Sequence, residues 1–174
     1  MTEQTIAEVL GKVLNDEGGI SNDPDDHGGF TNWGLTADFL ETVTGESWTA
    51  QKIANLTRDQ ALGAYRKWLS QTKLDQLPDV AGFAHAVIDW AVNSGEARAI
   101  RALQKALGTA VDGVIGPQTL GALAQCSPLY LDGLRLKMIA SRLRFLGADI
   151  SADKSQARFA SSWLNRIADQ LQDW

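Results

Sequence analysis

Three side chains near the start of the chain have the types and spacing of a carboxylate-based catalytic site. Glu17 closes a predicted amphipathic helix, Asp26 follows nine residues later and Thr31 fourteen residues later. Turn sequences at Asp23-Pro24 and Gly28-Gly29 would fold the chain back so that the three side chains converge. Cleavage of a glycosidic bond needs one protonated and one ionised carboxyl group across a cleft, and a threonine hydroxyl could hold the attacking water.

The position of Glu17 favours the protonated form of its side chain. The pair Gly18-Gly19 predicts that the helix ends there, so the carboxyl group falls in the last turn, where unpaired carbonyls make the helix dipole negative. That dipole and burial against apolar neighbours both raise a glutamate pKa, and a protonated glutamate can donate to a leaving-group oxygen. The alternative interpretation is a solvated acidic residue at a helix end.

The charge pattern suits chemistry on a neutral polar polymer. The net charge of −5 argues against nucleic acid as the main partner, because phosphate binding needs clustered lysine and arginine. No lysine or arginine occurs between Lys12 and Lys52. Eight acidic residues fall inside that interval: Asp16, Glu17, Asp23, Asp25, Asp26, Asp38, Glu41 and Glu46.

Length and composition predict a single compact soluble domain, 1–174. The chain has 174 residues, of which 44% are hydrophobic and 21% are charged. The first five residues lack the basic start and apolar run of a secretory signal, so we expect synthesis in the cytoplasm. Cys126 is the only cysteine, which excludes an internal disulfide, and we expect it to be a small core residue.

Helical periodicity covers most of the chain and predicts a mainly α fold. Dense apolar residues from Asp79 to Asn93 predict a central core helix that ends before Gly95, and another long helix should reach about Phe145. A last helix, 155–172, should bury Phe159, Trp163, Leu164, Ile167 and Leu171 on one face. Capping residues or first-turn prolines predict five helix starts at Thr36, Thr49, Thr57, Gly116-Pro117 and Ser127-Pro128.

The only credible strand sequence lies between Ile20 and Leu35. It predicts a small β-hairpin or ribbon that must pack against helices and leaves a cleft faced by Glu17. Farther along, Asp112-Gly113 predicts a tight turn whose following residues, Val114 and Ile115, either plug the core or contact glycan or stem peptide.

Three blocks in the right order carry a resemblance to a known family. They are residues 17–19 with 22–26 and 28–36, residues 88–95 with 103–108 and 111–120, and residues 159–166. The sequence resembles the glycoside hydrolase family 108 muramidases, which include phage endolysins and bacterial cell-wall lysozymes. The order of Glu17, Asp26 and Thr31 is also similar to that in phage-type lysozymes, although Thr31 is one residue nearer here.

The resemblance implies a lysozyme-like helical fold with a catalytic part, 1–95, and a helical peptidoglycan-binding-type part, 96–174, packed on it. It implies an N-acetylmuramidase that cleaves the β-1,4 bond between N-acetylmuramic acid and N-acetylglucosamine, with Glu17 as catalytic acid. Asp26 would activate water or stabilise the oxocarbenium ion, and Thr31 would assist. A lytic transglycosylase and a non-catalytic peptidoglycan-binding module are the alternatives.

Further residues are candidates for substrate binding. They are Asp23, Asn32, Trp33, Asp89 and Asn93, with Trp33 as a sugar-stacking platform because it lies in the ribbon. Trp68, Trp90 and Trp163 lie in helical stripes and are expected in the core. The polar stripe of His85, Asp89 and Asn93 predicts either a buried hydrogen-bond network or the floor of the cleft behind Glu17 and Asp26.

No metal ion or other cofactor is expected. The segment starting at Asp23 has ligand-like residues at alternate positions, but Gly34 stands where a calcium loop requires its bidentate glutamate. The expected partner is bacterial peptidoglycan, reached at the cell wall or periplasm through a holin or a dedicated secretion apparatus. The protein is expected to be a monomer and to invert the anomeric configuration, since the hairpin leaves room for a water.

Overall fold

The computed structural model describes residues 1–17, 19–21 and 30–172, without the side chains of residues 16, 17, 21 and 81. Within this part the chain is mainly helical with one small two-stranded ribbon, as predicted. None of the described helices is long and apolar enough to cross a membrane. The elements are α1 (Glu3–Glu17), β1 (Ile20–Ser21), β2 (Thr31–Asn32), α2 (Ala37–Thr44), α3 (Ala50–Ala54), α4 (Arg58–Thr72), α5 (Ala81–Ser94), α6 (Glu96–Leu107), α7 (Pro117–Ala124), α8 (Pro128–Ala152) and α9 (Ala160–Gln172), with 3₁₀ turns at Leu74–Gln76 and Lys154–Phe159.

The predicted helix starts are confirmed by their hydrogen bonds. Thr36 and Thr49 accept backbone N–H groups of the first turns of α2 and α3. Thr57 and Gln60 form the predicted capping box, in which each side chain accepts the other residue's N–H, at 3.3 and 2.9 Å. Ser127 caps α8, and both α7 and α8 begin with proline. Local sequence therefore determines where these helices begin.

The first of two compact units comprises Thr2–Gln76 and is called the N-terminal unit. Its helix α4 packs against α1 and α2, and Arg66 of α4 pairs with Glu3 of α1. Trp68 lies in an aromatic cluster with Phe39 and Tyr65, so its predicted core position is confirmed. The predicted stripe of α1 is fully or nearly fully buried: Ile6, Val9, Leu10, Val13 and Leu14.

The second compact unit, called the C-terminal unit, comprises Leu77–Trp174 and Met1. Residues 82–91 of α5 are all buried, and α5 packs against α6, α8 and α9, which confirms the predicted central helix and the core position of Trp90. Gly95, with φ of 94°, separates α5 from α6. The division falls before α5, whereas the sequence-based boundary falls after it, because α5 buries its apolar surface against the helices that follow.

The long helix α8 extends farther than predicted. It continues past Phe145 to Ala152, because Leu146 packs with Ile139 and with Ile167 of α9, which stabilises the additional turns. The gain for one buried leucine is about 2 kcal/mol, which outweighs the cost of Gly147 in the helix.

The last helix begins five residues later than predicted. Asp153 accepts the N–H of Ser155 at 2.9 Å and starts a 3₁₀ turn, so the α-helical geometry begins only at Ala160. The predicted buried face of this helix was also wrong in part. Leu164 and Leu171 are exposed, Phe159 and Trp163 are half-buried, and Ile167 is buried.

The turn after α6 buries only one of the two residues that were predicted to fill the core. Ile115 is fully buried, as predicted, but Val114 is 60% exposed. The cause is Gln104, a buried residue of α6, which organises the turn from within. Its Nε2 donates to Asp112 Oδ1 at 2.7 Å and to the Val114 carbonyl at 2.9 Å, and its Oε1 accepts the Gly113 N–H at 2.8 Å. These bonds turn the backbone of Val114 inward and leave its side chain in solvent.

Candidate active site

The predicted acid Glu17 is the last residue of α1. Its backbone therefore lies at the negative end of a helix whose apolar side is buried, as the sequence indicated. The Glu17 side chain lies outside the described part of the structure, and so do Asp23 and Asp26. Their roles, and the separation of the two carboxyl groups, stay predictions.

The ribbon places Thr31 beside the segment that leaves α1. Strands β1 and β2 are antiparallel, and Ser21 pairs with Thr31 while Ile20 pairs with Asn32. Paired residues of antiparallel strands have Cα atoms about 4.5–5.5 Å apart. Thr31 is half-buried and lies opposite a residue only four positions after Glu17. The fold therefore returns Thr31 to the neighbourhood of the helix end, which the turn sequences predicted.

Asn32, a predicted substrate-binding residue, is buried in the N-terminal unit with 4% of its surface exposed. Its Nδ2 donates to the carbonyl oxygens of Ile53 at 2.9 Å and Leu56 at 3.2 Å, at the end of α3. The Asn32 backbone also exchanges hydrogen bonds with Leu35. The side chain thus ties β2 to the end of α3, and its amide nitrogen is occupied by protein carbonyls.

Trp33 is half-buried and has an unusual backbone conformation, with φ of 56°. Its Nε1 donates to the Leu56 carbonyl at 3.0 Å, and its own carbonyl accepts the Tyr65 hydroxyl at 3.1 Å. These bonds hold a left-handed conformation that is rare for a bulky residue. Trp33 is only partly buried, and its role in sugar stacking stays a prediction.

We expect Asn32→Ala to lower the free energy of unfolding by about 1–3 kcal/mol, because the carbonyls of Ile53 and Leu56 each lose one buried hydrogen bond. Chemical denaturation followed by circular dichroism measures this value. The matched control is Asn55→Ala, an exposed asparagine at the end of α3, which should change stability by less than about 0.5 kcal/mol. Equal effects of the two substitutions would contradict the bracing role of Asn32.

Asp89, another predicted substrate-binding residue, lies in the C-terminal unit with no exposed surface. Its Oδ1 accepts Arg166 Nε at 2.8 Å and Nη2 at 2.5 Å. Its Oδ2 accepts Arg142 Nη1 at 2.5 Å and Gln170 Nε2 at 2.6 Å. This arrangement matches the buried hydrogen-bond network that was one of the two predicted alternatives, and it leaves no accessible carboxylate surface for a glycan.

Electrostatics within this network favour the ionised carboxylate. Burial by itself would raise the pKa of Asp89, but the positive charges of Arg142 and Arg166 outweigh burial and lower the pKa to about 2. Asn93, one turn later, donates Nδ2 to the Asp89 carbonyl at 2.8 Å and is exposed, and His85, one turn earlier, is buried. Asp89 therefore joins α5, α8 and α9 as a charged core.

Sequence reasoning missed Arg142, Arg166 and Gln170 as the partners of Asp89. One signal was present, because Arg135 and Arg142 interrupt the apolar stripe of α8 at a spacing of seven residues. Both are buried, and Arg135 Nη1 donates to the Gln170 carbonyl at 2.8 Å. Two arginines within a buried stripe predict a buried carboxylate partner, since an unpaired buried charge is costly.

Cys126 is half-buried and not a full core residue. Its Sγ donates to the Ala122 carbonyl at 3.3 Å, and burial raises the pKa of the thiol. A raised pKa disfavours the nucleophilic thiolate. Among the described residues, Cys126 lines a surface cavity of about 370 Å³ with Leu107, Tyr130 and their neighbours. The predicted core position is therefore wrong, and the thiol packs at the wall of a shallow cavity.

Comparison with known proteins agrees with the two-part organisation of the chain. A family model described as glycosyl hydrolase 108 matches residues 10–95, and one described as a predicted peptidoglycan domain matches residues 98–168. Among solved structures, the chain is similar to the structure of Brucella abortus SagA, with 32% sequence identity and a TM-score of 0.80. The match covers 97% of this chain and 92% of the SagA chain. Among curated proteins, none matches the chain significantly.

The matches cover both parts of the chain and agree with its fold. The first matched segment contains the end of α1, the ribbon and all three predicted catalytic residues, and the second contains the helices α6 to α8 and most of α9. The lysozyme-like helical fold expected from the resemblance is confirmed. The chain therefore belongs to the glycosyl hydrolase 108 family and is a glycosidase that acts on peptidoglycan.

Proposed function

We propose that the protein is an N-acetylmuramidase that hydrolyses the β-1,4 bond between N-acetylmuramic acid and N-acetylglucosamine. The observation that carries the proposal is the pairing of Thr31 with Ser21, which returns the second strand to a point four residues after the helix-terminal Glu17. A carboxylic acid at the end of a helix, with a threonine hydroxyl group on the neighbouring ribbon, suits a reaction in which water attacks a sugar carbon.

Glu17 acts as the general acid in this proposal and protonates the glycosidic oxygen as the bond breaks. The negative end of α1 supports this role, because it favours a neutral carboxyl group before the reaction. Donation of the proton leaves an anionic Glu17 and a glycan fragment with a new hydroxyl group. The carboxylate of Asp26 then either accepts a proton from the attacking water or stabilises the positive charge on the sugar ring.

Thr31 orients the attacking water in this scheme. Its half-buried position and the bracing of the adjacent Asn32 and Trp33 support a fixed hydroxyl group. A water between sugar and carboxylate requires carboxyl groups roughly 6.5–9.5 Å apart and gives inversion of configuration. We therefore propose an inverting reaction, which proton NMR of the first-formed anomer tests directly.

Product analysis tests the identity of the bond. Purified sacculi are digested, the soluble products are reduced with borohydride, and the fragments are sequenced by mass spectrometry. The proposal predicts N-acetylmuramitol at the new ends. N-acetylglucosaminitol ends would assign the other glycosidic bond, 1,6-anhydro ends would indicate a lytic transglycosylase, and intact glycan with shortened peptides would contradict glycosidase activity altogether.

The location of the substrate leads to a proposal for where the protein acts. Peptidoglycan lies outside the cytoplasmic membrane, so we propose that the protein works at the cell wall or in the periplasm after release through a holin or a secretion apparatus. Cell fractionation tests this proposal. Persistent recovery in the cytosol of cells that are undergoing wall degradation would contradict it.

A further inference from the structure

Helix α8 carries an exposed apolar stripe with the spacing of a coiled-coil seam. Leu129, Leu136 and Leu143 recur every seven residues and are 83%, 46% and 38% exposed. Small residues alternate with them at intervals of four and three residues, and the complete stripe is Leu129, Gly133, Leu136, Ala140, Leu143, Gly147 and Ile150. The stripe leaves a long apolar surface partly uncovered, so it is a candidate contact surface.

Helix α9 carries a shorter stripe of the same kind. Leu164 and Leu171 are seven residues apart and 53% and 47% exposed, and the exposed Ala168 lies between them. The two helices are antiparallel neighbours, because Arg135 near the start of α8 bonds the carbonyl of Gln170 near the end of α9. Both helices therefore offer leucines alternating with alanine or glycine.

The two stripes face the same side of the C-terminal unit. Arg142 of α8 and Gln170 of α9 both point to Asp89 on α5. Leu143 and Leu171 each follow one of these residues by about 100° around their helices. Ile139 and Leu146 of α8 pack with Ile167 of α9. These residues lie about 40–60° from Arg142 and Gln170 around their helices, in the same sense as the two leucines. Rotation in that sense therefore passes from α5 across the neighbouring helix, and both leucines emerge on the outer side of the helix pair.

We propose that this α8–α9 face is the interface of a homodimer, in which each α8 packs antiparallel on α9 of the partner. A two-fold axis parallel to the helices forms the same contact twice and completes a four-helix bundle. In this register each leucine of α9 lies opposite a small residue of the partner's α8, and the small residue Ala168 lies opposite a leucine. Opposite one another lie Ala140 and the partner's Leu171, Leu143 and the partner's Ala168, and Gly147 and the partner's Leu164.

Charges at the edge of the face support a second copy as the occupant. Arg144 comes directly after Leu143 of the α8 stripe, and Asp169 comes directly after Ala168 of the α9 stripe. Both side chains are exposed, and neither has an ion pair or hydrogen bond within the described part of the chain. The register that aligns the leucines brings Arg144 beside the partner's Asp169. The face is therefore complementary to itself in both shape and charge.

The size of the face suits a weak dimer. Helix α9 has 13 residues and is about 20 Å long, and two helices about 9 Å apart present a face about 20 Å wide. The contact would cover about 400 Å² on each subunit, or about 800 Å² in total, which is the size of a weak, transient interface. The proposed dimer differs from the monomer expected from the sequence, and it is independent of the catalytic assignment.

Sedimentation equilibrium of the full chain tests the dimer. We expect a mean mass clearly above that of one chain at about 100 µM and close to twice that mass at about 1 mM, because a small interface of this kind gives a Kd of about 100 µM. Leu143→Glu and Leu164→Glu should each raise Kd at least about 100-fold. The matched control is Val114→Glu, a more exposed apolar residue on the α6–α7 turn, which should leave Kd unchanged.

Charge reversal tests the register. Arg144→Asp and Asp169→Arg should each raise Kd about tenfold, since symmetry repeats the repulsion twice, and the double variant should return to within about threefold of the parent. Circular dichroism confirms that each variant is folded. A monomer at about 100 µM overturns the proposal, and so does a monomer whose α8–α9 face instead binds lipid vesicles. If the increases in Kd of the two single reversals add up in the double variant, the register is wrong.

Discussion

Glu17→Gln is expected to slow the solubilisation of purified peptidoglycan by about 10²–10⁴-fold, the usual contribution of a general acid. The amide keeps the shape and polarity of the side chain but has no proton to give to a leaving oxygen at neutral pH. Binding to sacculi and thermal stability should stay unchanged, because the substitution removes a proton donor and not a packing contact. Dye release from labelled sacculi measures the rate, and co-sedimentation measures the binding.

The matched control is Glu8→Gln, on the same helix. Glu8 is exposed, and its Oε1 accepts only the side chain of Gln4 at 3.0 Å, one turn earlier, among the described residues. Its substitution should leave the rate within about twofold of the parent, because surface changes of this kind are nearly neutral. If Glu17→Gln solubilises sacculi as fast as Glu8→Gln does, Glu17 is not the acid and the catalytic assignment is wrong.

Asp89→Asn is expected to lower the free energy of unfolding of the C-terminal unit by about 3–5 kcal/mol. The amide removes the negative charge that compensates Arg142 and Arg166, which are 2% and 10% exposed at their side chains. The two cations would then lose the carboxylate that they share. Urea denaturation followed by tryptophan fluorescence measures the loss, because Trp90 and Trp163 lie in this unit.

An exposed aspartate–arginine pair in the same unit supplies the control. Asp132 accepts Arg135 Nε at 2.8 Å, but the Asp132 side chain is 51% exposed. Asp132→Asn should cost less than about 1 kcal/mol, because solvent screens the exposed charge. A cost at Asp89 no larger than that at Asp132 would mean that the buried carboxylate does not stabilise the helices around it.

The same carboxylate predicts how stability depends on pH. The pKa of Asp89 is about 2 in the folded protein, below its ordinary value of 3.8, so the unfolded chain binds more protons between these values. Its contribution is therefore fully present above pH 3.8 and is lost as the pH falls toward 2. The loss amounts to about 2 kcal/mol. The parent should lose this amount between pH 5 and pH 2, and Asp89→Asn should not.

The sequence predicted the structural features that depend on residues close to one another along the chain. The Thr57 capping box, the buried stripe of α1 and the central helix α5 follow from spacings of three and four residues, and all three are present. These features depend on hydrogen bonds and packing within one or two turns. Helical periodicity also predicted the mainly helical fold, and the glycine-rich segment predicted the position of the ribbon.

Features that depend on distant residues could not be predicted. Asn32 was predicted to bind substrate, but its acceptors are backbone carbonyls 21 and 24 residues away, and any residue type supplies a carbonyl. Asp89 finds Arg142, Arg166 and Gln170 at separations of 53 to 81 residues. Their attraction rotates α9 so that a polar edge faces α5, and this rotation leaves Leu164 and Leu171 exposed.

Digestion in water enriched in ¹⁸O tests the central claim most directly, because it reports both the bond that breaks and the nucleophile that breaks it. The products are reduced with borohydride at once, and their ends are read by mass spectrometry. The account predicts N-acetylmuramitol ends that carry one ¹⁸O atom with the parent protein, and almost none with Glu17→Gln. Unlabelled 1,6-anhydro ends, or label on N-acetylglucosamine ends, would contradict it.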